Sequence, residues 1–343
     1  MQLVTEHVSP VDLSGYAREA LADFEENAFT LSRWLPSDIV DDLFFKFEKG
    51  GGGLVEAAVF RSYDAESDIG YRSGATRASG MLPPISRKIP VGEYEQLKER
   101  NLDDGESTRD KIENLAEKLT REIAARVELA RGDAIFNGAV TIDENGVSAS
   151  VDFGRDPDHS VTLDGVTDLL WDDTEWSTPF DNLTEWVEVY EATTGERPAF
   201  VLMPERILRL LQRNAQLCRM STTDAVPPVM LTVEALNALL NDHDLPQVVT
   251  NDSRVVFKGI TTRITPADKV ALLPAPGDSL GKTLWGTPVE ANDPGYGFTS
   301  ADRAGILAGN FRSEDPQTLW TRATAIALPV MAAPDRSFVA KVV

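Results

Sequence analysis

The stretch Trp171-Asp172-Asp173-Thr174-Glu175-Trp176 holds residue types that could do chemistry. Glycoside hydrolysis uses one carboxylic acid to protonate the leaving oxygen and a second carboxylate facing it, with aromatic rings stacked on the sugar. The two carboxyls must stand about 5–10 Å apart across a substrate, usually on different elements. A short linear cluster seldom supplies that geometry, and no second carboxylate site stands out in this chain. The plainer expectation is that the Trp rings anchor a crossing between domains while the acids stay in water. An acidic carbohydrate-active enzyme or sugar-binding protein using Trp171 to Trp176 is retained as the alternative function.

Other constellations are weaker. Asp242-His243-Asp244 holds three metal-ligand types in a row. Consecutive side chains do not readily converge on one ion, and His7 and His159 lie in unrelated segments, so a polar helix end after Leu240 is expected. Asp152, Asp156 and Asp158 around Gly154 lack the spacing and the terminal bidentate Glu of a calcium loop. Gly50-Gly51-Gly52-Gly53 could surround a phosphate, but Leu54, Val55 and Glu56 follow where a Lys-Ser or Lys-Thr is needed, and the acid repels an anion. There is no Gly-x-Ser-x-Gly elbow for a serine hydrolase. Cys218 follows Leu210, Leu211 and Leu217 on an apolar helix, which suits a buried thiol better than a nucleophile. A lone cysteine also excludes an internal disulfide framework and a cysteine-built metal site. The residues therefore assign no catalytic, cofactor or metal site.

Composition narrows the class further. The 343 residues carry 33 basic and 55 acidic side chains, a net charge of −22, and 42% are hydrophobic. That apolar share is enough for a core, so wholesale disorder is excluded. No apolar run approaches the ~20 residues of a membrane span. Glu6, Asp12, Glu19 and Asp23 near the start do not resemble a secretory signal, and a soluble protein in a reducing cytosol is expected. Without a basic run the chain is a poor candidate for gripping nucleic acid, whose affinity rests on clustered Lys and Arg. High negative charge supplies solubility and repulsion between copies.

The elements that must position these residues read as follows. Residues 1–43 mix short amphipathic pieces, with Tyr16, Leu21 and Phe24 on one helical face and Phe29, Leu31, Trp34 and Leu35 before Pro36. Their apolar residues are too scattered to close a core of their own, which suggests an arm. The glycine run then roots a long excursion to about residue 94 that carries Arg61, Arg72, Arg77, Arg87 and Lys88, a large share of the scarce positive charge. Such a loop is uncommon unless it works against another surface, so these five are the candidates for contact between subunits. From Thr108, a plausible N-cap, to about Ile135, the steps Ile112, Leu115, Leu119, Ile123 and Val127 predict a helix roughly 40 Å long. Asn145-Gly146 between alternating runs predicts a β-hairpin. Beyond Pro179 the pattern is α+β. Helices end near Gly195, start at Pro204 and are capped by Thr232. Strands are expected at 199–203, 255–257, 261–264 and 270–273, then a loop region over 274–300. Strands at 324–328 and 337–343 flank a turn at Ala333-Pro334-Asp335.

That order of parts resembles the lambda-type major capsid protein family of tailed bacteriophages, with the Hong Kong 97-type capsid fold. The similarity is carried by Ala134-Ile135-Phe136-Asn137-Gly138 through Val151-Asp152-Phe153-Gly154-Arg155, by Trp176 through Ala199-Phe200-Val201-Leu202-Met203-Pro204, and by Leu328-Pro329-Val330-Met331 to Phe338-Val339-Ala340. The resemblance implies an N-terminal arm over 1–43 and an extended E-loop over 44–100 lying on a neighbouring subunit. It further implies a peripheral domain over 101–165 and 318–343, with a spine helix and long sheet, and an axial domain over 166–317. The implied protein is a non-enzymatic head subunit that assembles as hexamers and pentamers into an icosahedral shell around packaged double-stranded DNA, without sequence-specific binding or membrane contact. Its implied partners are its own copies, a scaffolding protein, a portal and a decoration protein, with assembly in the host cytoplasm. Some relatives weld subunits through a Lys–Asn bond; Lys88 lies in the loop, but no Asn partner or catalytic Glu is identified, and no cross-link is expected.

Overall fold

The computed structural model describes residues 2–5, 7–49, 76–93, 105–144, 146–222, 226–277, 279–299, 303–315 and 317–343. The chain opens with β1 (Gln2–Val4), α1 (Pro10–Asn27), β2 (Ser37–Ile39), β3 (Phe44–Lys49), β4 (Thr76–Met81) and β5 (Pro84–Val91). The long helix α2 (Gly105–Asn137) follows, then β6 (Ala139–Glu144), β7 (Val147–Asp152) and β8 (Ser160–Thr162). Next come α3 (Pro179–Thr194), β9 (Phe200–Met203), α4 (Glu205–Arg213), α5 (Ala215–Met220), α6 (Val233–Asp242) and β10 (Gln247–Thr250). The remaining strands are β11 (Arg254–Phe257), β12 (Ile260–Arg263), β13 (Lys269–Leu273), β14 (Gly281–Trp285), β15 (Leu307–Glu314), β16 (Gln317–Met331) and β17 (Phe338–Lys341). The α+β class expected from the sequence holds.

Two sheets organise the described residues. In the six-stranded one, β16 pairs antiparallel with β15, β5 and β14, and β1 and β2 extend it beyond β15 and β14. The five-stranded one runs β10-β9-β13-β17-β8. Side chains alternate across a strand, so this second sheet divides its residues between two cores. Val201, Leu272 and Phe338 face helices α3 to α6, where Leu183, Trp186 and Leu211 are buried. Leu202, Ala271 and Val339 face the other way, toward Ala130, Ala134 and Ile135 of α2.

Helix α2 belongs to both halves of the molecule. Its 33 residues span roughly 50 Å at ~1.5 Å each. Ile112, Ala116, Leu119, Ile123 and Val127 form a buried stripe against α1 and the first sheet, while the C-terminal turns enter the second core. The helix begins at Gly105, so Thr108 lies inside it and is no N-cap. Asp110 suits the positive end of the helix dipole. Gly132 marks the closest approach: a Cβ built there would lie 2.7 Å from the Ile264 carbonyl oxygen. Alanine normally gains ~1 kcal/mol over glycine inside a helix, but a backbone atom cannot yield as a side chain can. Gly132→Ala is therefore expected to destabilise the protein by about 1–3 kcal/mol in urea unfolding.

The hairpin forms where Asn145-Gly146 places it. Glu144 pairs with Val147, and Gly146 takes the positive φ of +84° that the tight turn requires. Gly195 ends α3 at φ +74°, and the Thr232 side chain accepts the Ala235 N–H at the start of α6. Pro204 is the N-cap of α4, whose first residue is Glu205.

Three expectations change. The N-terminal segment is packed on its own chain: Leu13, Ala17, Leu21, Phe24 and Phe29 join the α2 stripe, and Leu31, Trp34 and Leu35 enter the second core. Scattered apolar residues suffice there because α2 supplies the other half of each contact. The 274–300 region contains β14, a strand bounded by turn residues whose partner, β16, lies far along the chain. The strand expected at 324–328 runs from Gln317 to Met331. Pairing also crosses the expected domain limits: β8 and β17 lie in the sheet of β9 and β13, and β14 and β15 lie in that of β16.

Candidate assembly surfaces

Strand β5 carries two of the five basic candidates, and the structure holds both against their own chain. In register, Arg87 lies opposite Ala323 and Lys88 opposite Arg322 of β16. The Arg87 Nε atom is 2.8 Å from Glu122 Oε2 on α2, and Lys88 Nζ sits 4.5 Å from the centroid of the Trp320 ring. Both side chains lie on the surface, so these contacts preset their positions and leave them accessible. Arg77 falls opposite Glu48 in the β3–β4 ladder. Its side chain, together with Arg61, Arg72 and the glycine run, lies outside the described residues. That ladder runs from Phe44↔Met81 out to Lys49↔Thr76, and among the described residues its strands pair only with each other.

A buried ionic cluster that the sequence reading missed ties the N-terminal segment to α2. Arg131 is 1% exposed and donates from Nη2 to Glu25 Oε1 at 2.5 Å, from Nη1 to Glu128 Oε2 at 3.2 Å, and from Nε to Thr283 Oγ1 at 2.8 Å. Glu128 is fully buried and also accepts the Leu31 N–H at 2.8 Å. The Ser37 hydroxyl donates to Glu25 and accepts the Trp285 indole N–H at 2.8 Å. Burial pushes the Glu128 carboxyl above its usual range, opposed by the Arg131 charge and the Leu31 N–H. One guanidinium thus joins α1, α2 and β14, with Ser37 linking in β2. A sequence signal existed: Glu128 and Arg131, three residues apart, follow Val127 on an otherwise apolar face.

The enzyme-like motifs resolve into structural roles. Trp171 is fully buried, donates its indole N–H to Asn182 Oδ1 at 3.1 Å and stacks on Trp186 at 5.7 Å. Trp176 is 70% exposed, so the two indoles share no sugar platform. Asp173 accepts the N–H groups of Glu175 and Trp176 and thereby closes a local turn. Asp152 and Asp156 likewise accept backbone N–H groups from Gly154 and Asp158. The His243 ring meets the edge of Phe180 at the end of α6, the polar helix terminus expected there. His159 is wedged between the Tyr190 and Phe338 rings, and burial pushes its pKa down, toward the neutral form. Cys218 is buried, and burial raises its thiol pKa, away from the reactive thiolate.

A family model described as phage major capsid protein E matches residues 36–342. No curated protein matches the chain in sequence. Among solved structures, a protein described as a prophage capsid protein of E. coli CFT073 superposes with a TM-score of 0.65 at 14% identity, covering 98% of this chain and 99% of that one. A phage-related protein of Bordetella bronchiseptica RB50 superposes with a TM-score of 0.60 at 14% identity, covering 96% of each chain. At such identities the likeness is one of fold.

Proposed function

We propose how this chain works as a shell subunit from one premise: it belongs to the phage major capsid protein E family. It is a major capsid protein of a tailed phage, with the Hong Kong 97-type fold, a structural role and a place in the virion shell that its copies form. The observation that carries this is the family match along 36–342, and nothing in the comparisons favours the sugar-directed alternative.

The finer reading is ours. Copies associate as hexamers and pentamers, with residues 44–100 serving as the E-loop that reaches a neighbour. The peripheral domain is 101–165 with 318–343 and the axial domain is 166–317, strands being exchanged between the two. The β3–β4 ladder, paired only with itself among the described residues, supports the reach. Arg61, Arg72, Arg77, Arg87 and Lys88 offer positive charge to acidic neighbours, a complementarity that fixes register. A net charge of −22 keeps the shell from adhering to the double-stranded DNA packed within it. The subunit performs no catalysis, assembles in the host cytoplasm, and works with a scaffolding protein and a portal, with or without a decoration protein.

Replacing residues 50–75 by Asn-Gly tests the loop assignment. Lys49 and Thr76 are cross-strand partners, so a two-residue turn preserves the ladder. The variant is expected to keep the parent's unfolding midpoint and to form no shells in electron micrographs. Normal shells from this variant would remove residues 50–75 from the assembly surface.

A further inference from the structure

The helices covering the five-stranded sheet are electrically unequal. Helix α3 exposes Asp181, Glu185 and Glu188 and half-exposes Glu191, and it carries no basic residue. Helices α4 and α5 expose Arg206, Arg209, Arg213 and Arg219 against a single carboxylate, Glu205. Within a chain of net charge −22, four arginines in so short a span are a marked local excess. Their neighbour α6 adds Glu234 and Asp242 and no arginine, so the positive face is confined to α4 and α5.

Position makes the inequality useful. Helix α3 packs against the turns at 157–159 and 334–336, which lead into β8 and β17, and its N-terminal end meets α5, where Gln216 Nε2 donates to Asp181 Oδ2 at 2.8 Å. Helix α4 packs against β10. In the sheet order β10-β9-β13-β17-β8, β8 and β10 are opposite edges, and β17 lies next to β8. The inward faces are occupied, by Leu183, Trp186 and Val187 on α3 and by Ile207, Leu208 and Leu211 on α4. Asp181 is held by Gln216 and Glu191 by Arg197, while Glu185, Glu188, Arg206 and Arg213 stand exposed on the outward faces. Glu205 engages Arg209 at 2.7 Å, whereas among the described residues Arg206 and Arg213 have no ion-pair partner.

We propose that the arginine face of α4–α5 on one copy docks on the carboxylate face of α3 on the next, joining copies head to tail into a closed ring. The proposal rests on the self-assembly reading and assigns it a specific contact. Two different surfaces meeting in this way build a ring when the rotation closes. Copies that repel through their overall charge gain from such a pair a preferred side and register, since complementary charges act mainly on approach and orientation. Screening limits the attraction to short range, ~8 Å at physiological salt, so it acts only when the faces are apposed.

Two charge reversals test it. Arg206→Glu with Arg213→Glu makes both faces acidic; Glu185→Lys, Glu188→Lys and Glu191→Lys together leave Asp181 as the one acid on α3 and make both faces basic. Four of these positions are exposed and Glu191 is half-exposed, and circular dichroism verifies folding; if either variant misfolds, Arg206→Gln with Arg213→Gln is used and must lower the salt sensitivity of assembly. Each reversal alone should reduce assembly by about tenfold or more at low salt, measured by light scattering and native mass spectrometry. Mixing the two should restore it as even-membered rings of alternating variants. Parent-like assembly by each reversal, or no recovery on mixing, overturns the contact while leaving the capsid reading intact. Loss of double-stranded DNA binding in the arginine variant with assembly unchanged would assign that face to nucleic acid and also overturn it. A parent that never assembles removes the capsid reading, and this contact with it.

Discussion

Replacing Arg131 by alanine is expected to lower the unfolding free energy by about 3–5 kcal/mol, the range for breaking a buried ion pair from one side. The reason lies in what remains. Glu128 is fully buried and would keep the Leu31 N–H as its remaining partner, with the Glu25 carboxylate nearby. Thr283 and Glu25 would also lose the donors that join β14 and α1 to α2. The pH dependence follows from the same carboxylate. Burial already holds the Glu128 carboxyl above the usual carboxylate range, and loss of Arg131 removes the main force opposing that rise. A carboxyl whose folded pKa is raised favours the folded state at low pH and loses that contribution as pH rises through the folded value. The deficit of Arg131→Ala relative to the parent should therefore be larger at pH 7 than at pH 5 in urea titrations. The double change Glu128→Gln with Arg131→Met, which strands no charge, should recover most of the loss. A single variant within ~1 kcal/mol of the parent at pH 7 would show the cluster to be energetically idle.

Trp186→Ala should be similarly damaging, at about 3–5 kcal/mol for removing a large buried aromatic. Trp186 is 3% exposed and stacks between Trp171 at 5.7 Å and Phe338 at 5.8 Å. Those neighbours come from the crossing before α3 and from β17, so this one indole unites three distant parts of the chain. Truncation leaves a cavity the size of the ring, flanked by a second indole that cannot collapse into it. Thermal unfolding should show a midpoint lowered by several degrees or more. Trp171→Ala should fall in the same class, whereas Trp176→Ala, at an exposed position, should be nearly silent.

The contrast between these tryptophans shows what a linear reading can and cannot resolve. Identical residues five apart in one acidic run differ completely in burial, because burial is decided by α3 and β17 rather than by the run itself. Features governed by neighbours in sequence were legible: the Asn145-Gly146 turn, the Thr232 cap, the left-handed Gly195, and the α2 stripe from Ile112 to Val127. Features governed by distant partners were not. Strand β14 is five residues long between turn residues, and the β16 residues it pairs with, from Ala327 to Met331, lie more than forty positions later. The N-terminal segment looked too sparse for a core because its complement sits on α2. Glu128 and Arg131 look like ordinary helix-surface charges until Glu25 and Thr283 are brought beside them. The order of parts nonetheless carried the family, since spacing between long elements survives where local identity does not.

The outer margin of β5 bears on how a crowded population of free subunits avoids sticking. Among the described residues β5 pairs only with β16, so its far side is a sheet edge. Pro84 and Pro90 have no N–H to offer along that margin, and Arg87 and Lys88 place charge on it. The other ends of the sheet are closed by β1 and β2, three residues each and too short to template a foreign strand. Fibre-like growth by strand addition is thus discouraged at every margin. Molecules that meet wrongly can separate and try again, and a shell built from many reversible encounters depends on that freedom to correct mistakes.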